Sequence, residues 1–277
     1  MYETEDAICL SGFSFSYPDG NRVLDGIDWR VASGSFVLLV GDTGSGKSTL
    51  LRSLKPEVAA QGEQAGSVKV FDRAPKDFDG RESAAQIGLV AQDPSTQIVC
   101  DVVWHELAFG LENLGTDRDV MRRRVAETAG FFGIEPWMHA QTASLSGGQQ
   151  QLVNLASILA MQPRLLLLDE PTSQLDPIAE KNFLHALFRI NRELGITVVV
   201  ATHAPEPMVD YATAAARLSG GTLTPCDPST LAAGVHASDW LSSRPEHGRS
   251  VAPAPTPTPV VRADDVYFRY TRDAQWV

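Results

Sequence analysis

The sequence predicts an α/β fold with a mostly parallel central sheet, and three stretches carry that reading. The apolar run 36–40 is followed by Gly41-Asp42-Thr43-Gly44-Ser45-Gly46-Lys47-Ser48-Thr49 and then by a short helical pattern containing Leu50, Leu51 and Leu54. Residues 165–168 are four leucines ending in Asp169-Glu170-Pro171. Residues 196–201 form a third apolar run that delivers Thr202 and His203. Uninterrupted apolar runs of this kind are strands covered on both faces, and ligands of such sheets gather at the carboxyl edge where the polar residues emerge.

The first stretch defines a ligand. Glycines at 41, 44 and 46 let successive backbone N–H groups turn toward phosphate oxygens, with the positive end of the following helix behind them. Strand, glycine loop, Lys-Ser and helix in register form a phosphate loop for a nucleoside triphosphate. Lys47 is expected to reach the outer phosphates, and Ser48 to offer its hydroxyl to Mg²⁺. At the second strand, Asp169 suits Mg²⁺ coordination, and Glu170 suits orienting or deprotonating a water. His203, at the same edge, is a candidate donor to the γ-phosphate.

The remaining elements follow in chain order. Residues 8–16 alternate apolar and small polar side chains and end at Tyr17-Pro18-Asp19-Gly20, a strand and turn; residues 24–31 form a second strand. Tyr17 reads either as a ring packed at a strand end or as a platform for a nucleotide base. Pro56 stops the first helix, residues 61–66 read as a polar loop, and residues 67–71 as a short strand. A strand over 87–91 delivers Gln92, which reads as a polar residue leaving a sheet or, beside the motifs at 41–49 and 169–170, as a ligand to Mg²⁺ or to the attacking water. Thr116-Asp117-Arg118-Asp119 resembles a capping box, and Met121, Val125, Thr128 and Phe132 then recur at helical spacing, with Arg122–Arg124 on a solvated face.

Ser146-Gly147-Gly148-Gln149 opens a helix carrying Leu152, Leu155, Ala156 and Leu159, a second anion-binding helix start. Two such starts either bind two ligands or each supply half of a site completed by another copy. Asp176 before Pro177 is an N-cap candidate for a helix with Phe183, Leu184, Leu187, Asn191 and Leu194 on its apolar face, closed by Gly195.

A formal charge of −11 argues against nonspecific binding to nucleic acid or anionic lipid, and no nucleic-acid partner is expected. Cys9, Cys100 and Cys226 are scattered, without metal-type spacing, and read as reduced, buried structural thiols. No signal-peptide pattern and no membrane-length apolar run is present, so contact with a membrane requires a partner.

The motifs at 41–49, Gln92, Leu145–Gln149, Asp169-Glu170, Ser173–Asp176 and His203 occur in the order of the ATP-binding-cassette (ABC) ATPases, which the chain resembles over residues 8–228. The resemblance implies a phosphate-loop, RecA-like α/β core, an N-terminal antiparallel β layer and an α-helical signature subdomain at about 93–162. It makes Tyr17 the adenine-stacking residue, Gln92 a sensor of Mg²⁺ and of the membrane partner, Glu170 the catalytic base and His203 the switch histidine. Asp176 would communicate across a dimer interface. Cassettes of this family pair head to tail, so Ser146–Gln149 of one close on ATP held by Lys47 of the other. The implied cofactors are ATP and Mg²⁺, and the implied partners are a transmembrane subunit and a second ABC domain, fused or a second copy.

Phe13–Pro18, Ala108–Asn113 and Pro171–Pro177 are similar to the ATPases of energy-coupling-factor importers of vitamins or transition-metal ions. That likeness implies a place at the cytoplasmic face of a prokaryotic cell membrane. Soluble cassette ATPases acting on ribosomes or DNA are the other class. Only about a hundred residues without sustained heptads separate loop and signature here, unlike the chromosome-maintenance type. Leu152, Ser157 and Asp42 depart from common family residues, and the Asp42 side chain is expected to face away from the phosphates. The cassette is expected over 1–240, a Pro-rich linker over 241–260 and the start of a second cassette over 261–277, where Phe268 and Tyr270 repeat the spacing of Phe15 and Tyr17.

Overall fold

Alternation of side chains along the buried strands dictates the layering. In a computed structural model, which describes residues 6–232, nine strands and seven helices follow in the order β1 (Asp6–Ser16), β2 (Arg22–Ala32), β3 (Phe36–Val40), α1 (Lys47–Ser53), β4 (Glu63–Val70), α2 (Gly80–Gln86), β5 (Ile87–Val90), α3 (Val103–Asn113), α4 (Arg118–Phe132), α5 (Gly147–Ala160), β6 (Leu165–Asp169), α6 (Pro177–Leu194), β7 (Thr197–Thr202), β8 (Ala214–Ser219), β9 (Thr222–Cys226) and α7 (Pro228–Ala232). Short 3₁₀ turns link several of them. The six-stranded sheet runs β5-β6-β7-β3-β8-β9 and is parallel except for the β8–β9 hairpin. The antiparallel sheet runs β2-β1-β4.

Because successive strand residues face opposite ways, one strand feeds two cores. Val37 and Leu39 of β3, with Leu165 and Leu167 of β6, pack with the antiparallel sheet and α1. Phe36, Leu38 and Val40, with Leu166 and Leu168, pack with α5 and α6 on the other face. A third cluster joins α3, α4 and α5 through Leu107, Leu111, Val125, Ala129, Val153 and Ala156. α5 is therefore shared: Leu155 and Leu159 lie in the sheet's core, whereas Val153, Ala156 and Ala160 lie in the helical cluster. α3, α4 and α5 form a helical cluster, and the last of them is also a wall of the sheet.

Several local expectations need correction. The loop expected at 61–66 is mostly strand, since β4 begins at Glu63; Ser14, Phe15 and Ser16 pair with Ala65, Gln64 and Glu63, and backbone pairing overrides the polar composition. Phe71 lies beyond the strand with φ 48°. The cap of α4 is Asp117, not Thr116: its carboxylate accepts from the N–H groups of Asp119 and Val120. Leu194 is exposed at the end of α6. The three cysteines are free but only half-buried. The linker and repeat expected at 241–260 and 261–277 lie outside the described residues.

Candidate functional site

The carboxyl ends of β3, β6 and β7 meet above the sheet, and the side chains there bind one another. Gly46 enters α1 with φ 102°, and a Cβ placed on it would lie 2.7 Å from Val23 Cγ1, so glycine is required on both counts. That turn buries Lys47, whose ammonium donates to the carbonyls of Gly41 (2.7 Å) and Asp42 (3.0 Å) and stands 3.4 Å from Glu170 Oε1. Lys47 is 5% exposed and Glu170 13%, so the pair is largely shielded from water.

Glu170 leaves β6 with φ 48°, a left-handed conformation that costs a non-glycine residue ~1–3 kcal/mol. Its N–H donates to Ala201 O (2.9 Å), and the Ser173 hydroxyl donates to its carbonyl (2.9 Å), fixing the twist. The carboxylate then reaches His203, with Oε2 2.9 Å from Nδ1 and 3.3 Å from the backbone N. An ionised carboxylate only accepts, so Nδ1 carries the hydrogen and Nε2 is the nitrogen left for a ligand. His203 is 52% exposed.

A cleft of about 380 Å³ opens over this cluster, lined by Tyr17, Asn21, Val23, Thr43, Gly44, Gly46, Lys47, Ser48, Thr49, Gln92, Glu170 and His203. Tyr17 packs at the strand end as the first sequence reading expects: its ring meets Phe15 edge-on at 5.0 Å and packs on the core, and its hydroxyl lies 3.0 Å from Thr49 Oγ1; it also lines the cleft. Gln92 enters from the end of β5, its amide donating to the Ser173 hydroxyl at 3.4 Å. Gly41, Asp42, Ser45 and Asp169 are not among the lining residues. Asp42 is exposed, so an acid inside the loop carries little penalty there. Asp169 Oδ1 and Ser45 Oγ are buried with no hydrogen-bond partner among the described residues. Buried acceptors are ordinarily satisfied, and a carboxylate oxygen left without a partner is of the donor type that fits a divalent cation.

The second anion-type helix start lies elsewhere. Ser146 Oγ accepts from Gln149 N–H (3.3 Å) and Gln149 Oε1 accepts from Ser146 N–H (2.9 Å), a reciprocal capping box at an exposed helix end. A Cβ on Gly148 would sit 2.5 Å from Ala179 Cβ, which seats this end of α5 against the start of α6. Asp176 caps α6 by accepting from Ile178 and Ala179 N–H groups at 2.9 and 3.0 Å. Ser146, Gly147, Gly148, Gln149 and Asp176 do not line the cleft.

Residues 24–173 match the family model described as ABC transporter. The chain belongs to the ABC transporter family. ATPase domains of this family hydrolyse ATP. Among curated relatives, a putative ABC transporter ATP-binding protein of Bacillus cereus is 44% identical over 215 residues, which cover 77% of this chain and 39% of that protein. The energy-coupling factor transporter ATP-binding protein EcfA of Methanocaldococcus jannaschii is 37% identical over 208 residues, 72% of this chain and 70% of that protein. CbiO1 from Clostridium perfringens, described as part of the ABC transporter complex cbiONQ, superposes with a TM-score of 0.75 at 28% identity, over 87% of this chain and 96% of that one. The chain spans about two fifths of the length of the first curated relatives, 39% in each of the three Bacillus proteins.

Within this ABC cassette, sequence reasoning missed Asn21 and Val23 as cleft walls. It also missed Gln97 and Asn154, which touch no ligand position and so carry no motif. No described helix is long and apolar enough to cross a membrane.

Proposed function

We propose that this chain is the ATP-binding and ATP-hydrolysing subunit of an energy-coupling-factor type importer, coupling hydrolysis to movement of a vitamin or metal ion through a transmembrane partner. The observation that carries the catalytic half is the convergence of Lys47, Glu170 and His203 at the phosphate-loop end of one cleft. Triphosphate oxygens entering there compete with Glu170 for the Lys47 ammonium. Released from Lys47, Glu170 can accept a proton from a water whose oxygen attacks the γ-phosphorus in line as the bond to the bridging oxygen breaks. His203 would donate a ring N–H to the same oxygens once phosphate displaces the ring from Glu170. Ser48, Gln92 and Asp169 would hold Mg²⁺, which neutralises phosphate charge when bound.

Adenine is the base this reading places on Tyr17, by stacking. A second ABC domain, fused or a second copy, would supply Ser146–Gln149 to this cleft, with Asp176 at the shared boundary. Similarity to EcfA and to CbiO1 of the cbiONQ complex supports the importer type. Val99, Trp104 and Phe109, apolar side chains exposed just beyond Gln92, support a protein partner on that side, at the cytoplasmic face of the membrane. Co-expression with candidate membrane subunits tests this: co-purification of a small membrane protein supports transport, and sedimentation of the chain with ribosomes contradicts it.

A further inference from the structure

The segment that carries Gln92 is gripped by a side chain no motif records. Gln97, partly buried, folds back on the strand end it has just left: its Oε1 accepts the N–H of Ala91, and its Nε2 donates to Leu89 O at 3.0 Å. The same Oε1 accepts a second hydrogen bond, from Asn154 Nδ2 at 2.9 Å. Asn154 is 2% exposed and sits in α5, the helix that begins at Ser146–Gln149. One amide thus joins the residue beside Gln92 to the interior of the signature helix, about two helical turns from its capping box.

Resting on the reading of the cleft as an ATP site, we propose that Gln97 is a positioning residue that transmits nucleotide occupancy from Gln92 to α5 through Asn154. A ligand that draws Gln92 inward displaces Ala91. Gln97 Oε1 follows, because it is held to Ala91 N–H while Nε2 keeps its grip on β5. Asn154 is almost fully buried, so α5 moves with the amide instead of exchanging it for water. A second tether, from Gln151 Nε2 to Pro171 O at 3.0 Å, ties α5 to the turn after Glu170 and offers a competing route.

The experiment is hydrogen exchange on the full 277-residue chain with and without ATP, at concentrations where it sediments as a single copy, so that Ser146–Gln149 touch no second molecule. In the native sequence ATP should slow exchange both around 89–97 and at the start of α5. Asn154→Leu, close in size and apolar, leaves Gln97 on β5 and should keep the first response while losing most of the second; Asn154→Ser, too short to reach Gln97, reads the same if the leucine variant does not fold. Gln97→Glu loses the donor to Leu89 O and sets a carboxylate oxygen against that carbonyl, so it should diminish the α5 response more than the response at 89–97, whereas a merely structural role would reduce both in step with melting temperature. An α5 response undiminished in Asn154→Leu, or absent from the native chain while ATP is bound, overturns the link. Failure of the native chain to bind ATP in a parallel titration overturns the underlying reading instead.

Discussion

Two helices of this cassette start with glycine-rich turns built for an anion, and they handle their free N–H groups in opposite ways. α1 has no side-chain cap; Gly46 turns left-handed, and the groups around it face a cleft in which Lys47 pairs with Glu170. α5 caps itself through Ser146 and Gln149 at an exposed surface away from that cleft. The first start is arranged to receive a ligand within its own chain. The second is satisfied without one, and its Gly148 is packed against α6 while Gly147 stays open. The proposed composite site of two cassettes would account for that asymmetry.

The variants with the largest expected effects probe the α1 side. Glu170→Gln removes the proton acceptor and should lower ATP turnover by roughly 10²–10⁴-fold, the range for general-base removal, with ATP binding intact in a titration. Lys47→Ala should act on binding itself, weakening ATP by roughly 10–100-fold, as expected for ~1.5–3 kcal/mol of hydrogen bonding to a charged group. Unaltered affinity would erase the contrast between the two helix starts. Tyr17→Ala should weaken ATP by ~1–3 kcal/mol through lost stacking, measured by the same titration.

Effects on the α5 side should be smaller and of another kind. Ser146→Ala should leave ATP affinity of the single chain unchanged while lowering stability by ~1 kcal/mol, the usual value of an N-cap, in a denaturant titration. An effect of similar size is expected on the α1 side for Tyr17→Phe, which keeps the ring and loses only the hydrogen bond with Thr49, ~0.5–1.5 kcal/mol of stability.

The phosphate-loop and paired-acid motifs were legible because the chemistry proposed for them restricts the residue type: Gly-Lys-Ser after a buried strand, and two acids at the end of four leucines. The buried strands were legible for a related reason, since covering both faces leaves no polar position. Pairing partners were not. β4 begins among polar residues because β1 offers it a ladder from Ser16 to Ile8, a contact between distant parts of the chain. α2 carried a readable signal, Asp79 and Glu82 in a capping box, and β8–β9 carried another at Gly220-Gly221; both went unread beside the stronger motifs. Gln97 and Asn154 are glutamine and asparagine in unremarkable positions, and only the fold reveals that one amide joins them.

The asymmetry itself is tested most directly by sedimentation of the Glu170→Gln chain with saturating ATP, alone and combined with Ser146→Arg. A composite site predicts that ATP doubles the sedimenting mass of the first and leaves the second at the mass of a single chain with ATP still bound. Doubling that survives Ser146→Arg, or a single-chain mass in both, would contradict it.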